Sequence, residues 1–168
     1  MKFVAWNCQG AFRKKAKLIA QYAPDIAVIS ECEHPDRLHF ESGIEPPITR
    51  LWFGDSETKG IGIFSYTGVN LELHKNYKPS IRYCIPIVAT GNLNLNIVSV
   101  YHAHFQEAFG EETVSTLYMQ RKREKGYHVD YCFVPQAWIK RVTFFSVGSF
   151  DDWSSLSDHS PIFVEFRQ

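Results

Sequence analysis

An aspartate stands directly before a histidine near the end of the chain, where Asp158 and His159 lie between Ser157 and Ser160. The apolar run after Pro161 predicts a strand, so a loop delivers this pair onto a strand. A carboxylate next to an imidazole can hold the ring ready as a general base. Asp and Ser in a turn also bond readily to their own backbone, so the pair alone is more typical of an ordinary turn.

Two further polar residues follow predicted strands near the N-terminus. Lys2 to Trp6 and Asp25 to Ser30 have the apolar character of strands, and helical spacing predicts a helix from Phe12 to Tyr22 between them. A strand, helix and strand in this order predict a right-handed unit with parallel strands. Both strands then end at one edge of a sheet, and they deliver Asn7 and Glu31 to it.

The chemistry of Asn7 and Glu31 suits a phosphate or metal site at that edge. The amide of Asn7 can both donate and accept, and the carboxylate of Glu31 can hold a hard divalent cation such as Mg²⁺. Ligands often sit at this edge of open α/β sheets. An Asn that ends a strand is also a common turn residue, and Glu31 could cap the next segment. On spacing alone, the two interpretations are about equally supported.

A third acidic residue, Asp130, stands inside the apolar segment Tyr127 to Pro135, which has the alternating character of a strand. A carboxylate in apolar surroundings requires a partner, and a metal, a histidine or a backbone donor would serve. The conspicuous basic cluster of the chain runs from Arg121 through Arg123 to Lys125. A solvated hairpin tip is the favoured interpretation, and a surface that binds substrate phosphate through Arg121 and Arg123 is the alternative.

Composition is that of one globular domain. The 168 residues are 45% hydrophobic and 15% aromatic, which is sufficient for a core. Basic and acidic residues number 18 each, so no overall field indicates a polyanionic partner. The chain contains no apolar segment of membrane-spanning length, and we expect a soluble, cytoplasmic protein without a membrane partner. The four cysteines have no CxxC spacing, which argues against a structural zinc site.

The middle of the chain is rich in strand signals. Five predicted strands are bounded by Gly, Asn or Pro and together predict an antiparallel sheet. They are Ile48 to Phe53, Gly60 to Tyr66, Val69 to His74, Ile81 to Ala89 and Leu93 to Tyr101. Trp138 to Val147 is a further predicted strand, and Gly148 to Ser157 is a predicted polar loop.

Five short motifs occur in an order that is typical of one family. They are Trp6 to Gly10, Asp25 to Glu31, Gly60 to Ser65, His128 to Tyr131 and Ser157 to Pro161. Together they resemble the endonuclease/exonuclease/phosphatase superfamily, which has the deoxyribonuclease I-like fold. The resemblance extends from the first strand to the last, and the last two motifs are the most specific.

The resemblance implies an α/β (α+β) fold, a two-sheet sandwich of mixed strands flanked by helices, formed by residues 1–168 as a single domain. It also implies a phosphodiesterase that depends on Mg²⁺ or Mn²⁺, either an endonuclease or an exonuclease. A phosphatase acting on a phosphorylated small molecule is an alternative to a nuclease acting on nucleic acid. The oligomeric state is left open.

The resemblance also assigns roles to individual residues. Asn7 would help to position phosphate and metal, and Glu31 would be the principal metal ligand. Asp158 would orient His159 and stand among the metal ligands. His159 would act as a base or bind the phosphate, and Asp130 would support this histidine.

One departure from the family pattern concerns the active site directly. The family places a G-D-x-N motif after the strand that corresponds to Leu93 to Val100, but this sequence has none and continues from Val100 to Tyr101. We therefore predict an internal deletion near residues 100–101, with loss of a central strand and helix. A natural or engineered deletion, a parental segment absent from this sequence, and a divergent inactive relative would each explain it. The last would bind nucleic acid or a protein partner through Tyr118 to Tyr127, without turnover.

Overall fold

The computed structural model describes residues 1–40, 42–80, 84–91, 95–100, 112–132, 134 and 136–167, with the backbone only for 84 and 95–100. Its strands are β1 (Lys2–Asn7), β2 (Ile26–Cys32), β3 (Thr49–Ser56), β4 (Lys59–Ser65), β5 (Asn70–Leu73), β6 (Cys84–Thr90), β7 (Leu95–Val100), β8 (Leu117–Tyr118), β9 (Gly126–Tyr127), β10 (Val142–Val147) and β11 (Ile162–Phe166). Its α-helices are α1 (Ala16–Ala20), α2 (Gln136–Ile139) and α3 (Phe150–Trp153), and short 3₁₀ turns cover Phe12–Lys14, Pro35–Arg37, Met119–Arg121 and Arg123–Lys125. No helix among these residues is long and apolar enough to cross a membrane.

The first and last strands, β1 and β11, lie in one mixed sheet. Its strand order is β10-β11-β1-β2-β4-β3. The strands β1 and β2 are parallel, as the sequence predicts, and the other neighbours are antiparallel. In the parallel pair Asn7 lies opposite Ser30, so the strands end side by side. The C-terminal strand β11 pairs with β1 on its other side, which brings the segment before β11 to the same edge.

The middle strands divide between two sheets. β3 and β4 extend the mixed sheet, whereas β5, β6 and β7 form a separate antiparallel sheet. The predicted antiparallel pairing is confirmed, but the prediction of one sheet is wrong. The two sheets face each other across a shared apolar cluster, so the predicted sandwich is confirmed. Its buried members are Ile26, Ile63, Leu71, Ile85, Ile87 and Ala89.

The opposite face of the mixed sheet is covered by the segment between β1 and β2. Phe12 and Ile19 of this segment are buried in one cluster with Trp6 of β1. The predicted helix from Phe12 to Tyr22 is wrong in extent, because a 3₁₀ turn precedes the short α1. The break falls at Lys15, whose φ of −119° departs from the regular helical value of about −63°. Its ammonium donates to backbone carbonyls of the preceding loop, those of Cys8 and Gly10.

The last third of the chain departs most from the sequence predictions. The strand predicted from Tyr127 to Pro135 is wrong, because regular pairing ends at Tyr127 and the chain continues irregularly through Asp130. The predicted strand from Trp138 is replaced by α2 up to Ile139 and by β10 from Val142. The predicted loop before Ser157 contains α3. The predicted deletion near residues 100–101 falls at the border of the undescribed segment 101–111 and stays a prediction.

Candidate active site

A β-bulge at the end of β2 presents Glu31 to the sheet edge. The register between β2 and β4 shifts between Ser30 and Cys32, and the extra residue is Glu31. Its φ of 54° is unusual for a residue other than glycine. Such strain persists where the surrounding structure imposes it, and a bulge redirects a side chain. The Glu31 carboxylate consequently lies beside the end of β1, with Oε1 3.4 Å from Nδ2 of Asn7.

A lysine forms an ion pair with the same carboxylate. Nζ of Lys59 lies 2.6 Å from Oε2 of Glu31, and the Lys59 side chain is 61% exposed. Burial alone would raise the pKa of Glu31, but hydrogen bonds from Lys59 and Asn7 outweigh it and hold that pKa below its usual value. The hydrogen bond and charge of Glu31 in turn raise the pKa of Lys59. Glu31 is therefore a carboxylate at neutral pH.

The imidazole of His159 is bonded to the carboxylate of Asp130. Nδ1 of His159 lies 2.7 Å from Oδ2 of Asp130, and the two side chains are only 14% and 12% exposed. Burial alone would lower the pKa of His159, but the hydrogen bond and charge of Asp130 outweigh it, with help from Asp158 and Glu31. The pKa of His159 is consequently raised above its usual value. A bond at Nδ1 fixes the ring and leaves Nε2 for other partners.

Asp130 is held by a buried threonine. The hydroxyl oxygen of Thr116 accepts hydrogen bonds from the backbone N–H groups of Val129, at 3.0 Å, and Asp130, at 2.9 Å. Thr116 has no exposed surface. Its backbone also accepts from Ser160 and donates to Tyr127, so one residue joins both segments of the pair. This bonding explains why Asp130 is fixed although it lies outside a regular strand.

His159 is also tied to β1. The hydroxyl of Ser157 donates to the carbonyl of Asn7 at 2.7 Å and accepts from the N–H of His159 at 3.1 Å. The indole N–H of Trp6 donates to the carbonyl of His159 at 2.8 Å. These bonds join the histidine loop to the strand that carries Asn7. The structure thus brings Asn7, Glu31, Asp130 and His159 to one edge of the mixed sheet.

Asp158 occupies a different position from the one that the resemblance implies. The carboxylate bonded to the His159 ring is that of Asp130, so the prediction that Asp158 orients the ring requires correction. The backbone of the histidine loop is tied to β8, because the carbonyl of Asp158 accepts from the N–H of Tyr118 and His159 forms a bridge with Leu117. The negative charge of Asp158 still adds to the raised pKa of His159. Its role as a metal ligand stays a prediction.

The two arginines predicted to bind substrate lie on the hairpin of β8 and β9. The guanidinium of Arg121 donates to the carbonyl of Ser155 at 2.9 Å and to Oε1 of Gln9 at 2.5 Å. Gln9 is two residues beyond Asn7, so Arg121 stands next to the site. Arg123 is instead paired with Asp151 and stacked on the Phe150 ring at 4.5 Å. Arg123 is therefore more completely neutralised than Arg121.

The donor set is suited to a magnesium ion held by few protein ligands. Mg²⁺ usually takes one or two carboxylates and completes its shell with water and substrate phosphates. Glu31 supplies an ionised carboxylate, and Asn7 supplies an amide within hydrogen-bond range of it. The cation that the carboxylate already holds is the Lys59 ammonium. In the described part of the chain no cluster of three or more His, Cys, Asp or Glu forms a complete metal cage.

Lys59, in a strand hairpin, and Thr116, in a polar loop, contribute to the site but carry no signal in the sequence. Trp6 lies in one of the five motifs, but nothing in the sequence indicates its bond to His159. Their contribution depends on contacts between residues far apart in the chain. Trp6 and His159, for example, are separated by 153 positions.

Comparison with known proteins identifies the fold. The chain matches no family model and no curated protein. Among solved structures, it is similar to a 3'-5' exonuclease (NExo) from Neisseria meningitidis, with a TM-score of 0.65 and 15% identity over 100% of both chains. A 3' phosphatase NExo variant from Neisseria, bound to product DNA hairpin, gives a TM-score of 0.64 and 14% identity over 100% of both chains. The endonuclease domain of TRAS1, a telomere-specific non-LTR retrotransposon, gives 0.67 and 13% identity over 99% of this chain and 97% of that one.

These similarities define the class of structure to which the chain belongs. The chain has the deoxyribonuclease I-like fold of the endonuclease/exonuclease/phosphatase proteins. The fold that the five sequence motifs imply is thereby confirmed.

Proposed function

We propose that the protein hydrolyses phosphoester bonds in nucleic acid, with a divalent cation as cofactor. The observation that carries the proposal is the Asp130–His159 pair, which lies at the same sheet edge as Asn7 and Glu31. An imidazole oriented by a carboxylate and a separate ionised carboxylate are the two groups that such a reaction requires. The first exchanges protons, and the second holds a cation.

Hydrolysis joins a water oxygen to phosphorus and breaks the bond between phosphorus and the leaving oxygen. The water loses one proton and the leaving oxygen gains one. His159 serves this exchange through Nε2, since Asp130 holds the ring at Nδ1. The raised pKa extends the pH range over which the ring is an imidazolium. This cation can hold a phosphate oxygen and give its proton to the leaving oxygen, and the neutral ring then takes up the proton that the water releases.

The roles of the other residues follow from their positions. Glu31 and Asn7 would hold the divalent cation, with Asp158 as a further predicted ligand. When bound, the cation neutralises the negative charge that develops on the phosphate. Ser157 and Trp6 keep the histidine loop against β1, so that the distance between the two halves of the site is maintained.

Nucleic acid is the substrate class that we favour. The neighbours in structure carry names that denote an exonuclease, a 3' phosphatase and an endonuclease, and one is bound to a product DNA hairpin. Arg121, next to the loop after Asn7, adds a guanidinium at the side of the site. Arginine is well suited to bind phosphate through its planar fork. A phosphorylated small molecule is the alternative substrate.

The test uses two labelled DNA hairpins, one with a 3'-terminal phosphate and one with an unpaired 3' extension. We expect release of phosphate or nucleotides in Mg²⁺, and none after chelation. Glu31→Gln should lower the rate on the order of 100-fold, since an interaction with developing charge is worth that much. Glu165→Gln, which removes a carboxylate paired with Lys2 away from the site, is the matched control. Hydrolysis that persists after both chelation and Glu31→Gln would contradict the proposal.

A second function is favoured by one observation. The sequence lacks the G-D-x-N motif, which supplies a catalytic Asp and Asn in the family that it resembles. The alternative function is therefore binding of nucleic acid through the β8–β9 hairpin without turnover. It predicts salt-sensitive binding of both hairpins and no product in any metal. Binding that Arg121→Glu and added salt leave unchanged would exclude it.

A further inference from the structure

Lys59 shares the carboxylate that would hold the metal. Its ammonium lies 2.6 Å from Oε2 of Glu31, whereas Oε1 faces Asn7. The Lys59 side chain is 61% exposed and that of Glu31 is 35% exposed. Ion pairs with this much exposure are weak, because water screens the charges and two side chains lose freedom. The ammonium can therefore leave the carboxylate at little cost.

The backbone of Lys59, by contrast, is closely fixed. Lys59 begins β4 and pairs with Ser56 across the hairpin from β3. The indole of Trp52 packs over this hairpin so closely that a Cβ on Gly60 would lie 2.4 Å from the ring. The indole N–H also donates to the carbonyl of Cys32, directly after Glu31. The lysine is thus anchored at the bulge, and only its flexible four-carbon stem can move.

A divalent cation at Glu31 would change the surroundings of the ammonium. The carboxylate would be neutralised, and two positive groups would repel each other at short range. The Lys59 side chain would then rotate away from Glu31, while the Lys59 backbone stayed in place at the site. In a catalytic complex the cation would attract the substrate phosphate to the same place, so that a phosphate oxygen would be an anion available to the released ammonium.

We propose that Lys59 alternates between Glu31 and the substrate phosphate, and that the divalent cation controls the exchange. Without the cation, Lys59 neutralises Glu31 and so competes with metal binding. With the cation in place, the released ammonium binds phosphate. Metal and nucleic acid then bind cooperatively, and each raises the affinity of the other by the same factor. The inference rests on the proposed function, because it uses Glu31 as the metal ligand.

The first test measures Mn²⁺ affinity by calorimetry in the absence of nucleic acid. Lys59→Met should bind Mn²⁺ about two- to fivefold more tightly than the wild type, because no ion pair has to be broken. Lys59→Arg, which keeps the charge and the pair, should not gain affinity. Lys2→Met removes a lysine that is paired with Glu165 and is the control for net charge. Equal Mn²⁺ affinity of Lys59→Met and the wild type would overturn the inference.

The second test measures binding of a hydrolysis-resistant phosphorothioate DNA hairpin by fluorescence anisotropy. In Mn²⁺, Lys59→Met should lose about fivefold or more in affinity relative to Lys2→Met, the lower range of typical coupling between sites. In EDTA the two variants should bind alike. If Lys59→Met lost the same DNA affinity with Mn²⁺ as in EDTA, the proposed exchange of Lys59 between Glu31 and phosphate would be refuted.

Failure of the proposed function has a separate signature. If Glu31→Gln leaves Mn²⁺ affinity unchanged, the metal site is wrong and the inference fails with it. If Glu31→Gln abolishes Mn²⁺ binding but Lys59→Met does not strengthen it, only the role of Lys59 is refuted.

Discussion

Thr116→Val removes one hydroxyl oxygen that two backbone N–H groups share. Valine has nearly the same shape as threonine, so the packing around this fully buried residue changes little. The N–H groups of Val129 and Asp130 lose their acceptor at 3.0 and 2.9 Å. A buried donor without a partner costs about 1–3 kcal/mol. Of the two lost hydrogen bonds, the one from Asp130 is fully buried and the one from Val129 is partly buried, so the second costs less. We therefore expect the free energy of unfolding to fall by about 2–4 kcal/mol in total.

Urea unfolding followed by tryptophan fluorescence measures this loss. The control is Thr116→Ser, which keeps the hydroxyl and removes one methyl group, for a cost of about 1 kcal/mol. NMR titration of the metal-free protein supplies a second readout. Loss of the Thr116 hydroxyl should loosen Asp130 and lower the pKa of His159 towards its usual value. If Thr116→Val changed the free energy of unfolding by less than about 0.5 kcal/mol, the proposed support of Asp130 would be refuted.

Three further predictions concern pH, substrate binding and the loop after β1. Because the folded-state pKa of His159 is raised, the pair with Asp130 contributes stability fully below the unfolded imidazole pKa of about 6.5. That contribution is lost as pH rises through the folded pKa. Urea unfolding at a series of pH values should show this loss in the wild type and should not show it in Asp130→Asn. Charge reversal at Arg121 should weaken DNA binding by more than charge reversal at Arg123, because Asp151 already neutralises Arg123. Fluorescence anisotropy with each variant measures the loss of DNA affinity, and equal losses would contradict the prediction. Glu33→Ala should cost about 2–4 kcal/mol of unfolding free energy, because two backbone N–H groups lose their acceptor and Arg13 loses its partner. Glu57→Ala, at an exposed pair with Arg37, should cost less than about 1 kcal/mol, and similar urea midpoints for these two variants would be inconsistent with the structure.

The N-terminal half of the site was predictable because its signals are local. An apolar strand, a helical pattern and a second strand determine a parallel pair, and the pair places Asn7 and Glu31 at one edge. The bulge that turns Glu31 outward was not predictable. It depends on how β2 pairs with β4, and the residue pattern of β2 alone does not indicate that register.

The other half of the site depends on distant contacts. The alternation from Tyr127 onward is typical of a strand, yet the segment is held irregularly by the Thr116 hydroxyl. The resemblance identified Asp130 and His159, but it gave the orienting role to Asp158. From the sequence alone, either Asp130 or Asp158 could be the carboxylate that orients the His159 ring. The observation that distinguishes them is the contact between Nδ1 of His159 and Oδ2 of Asp130, which only the folded structure shows.

The division of the middle strands shows the same limit. Alternating apolar residues indicate which face of a strand is buried, but they do not state which strand lies beside it. β4 pairs with β2, from a distant part of the chain, while β5 begins a second sheet only a few residues later. Burial of both inner faces therefore selects the sandwich, and this choice is a property of the whole chain.

The most direct test of the central claim compares the wild type with His159→Ala on the DNA hairpins in Mg²⁺. A positioned proton-transfer group contributes about 10²–10⁴-fold to rate, so the variant should lose at least about 100-fold while its Mn²⁺ affinity is retained. Wild-type turnover with this selective loss would support His159 and Asp130 as the proton-transfer half of a metal-dependent phosphoesterase. Turnover that His159→Ala leaves unchanged would contradict the account.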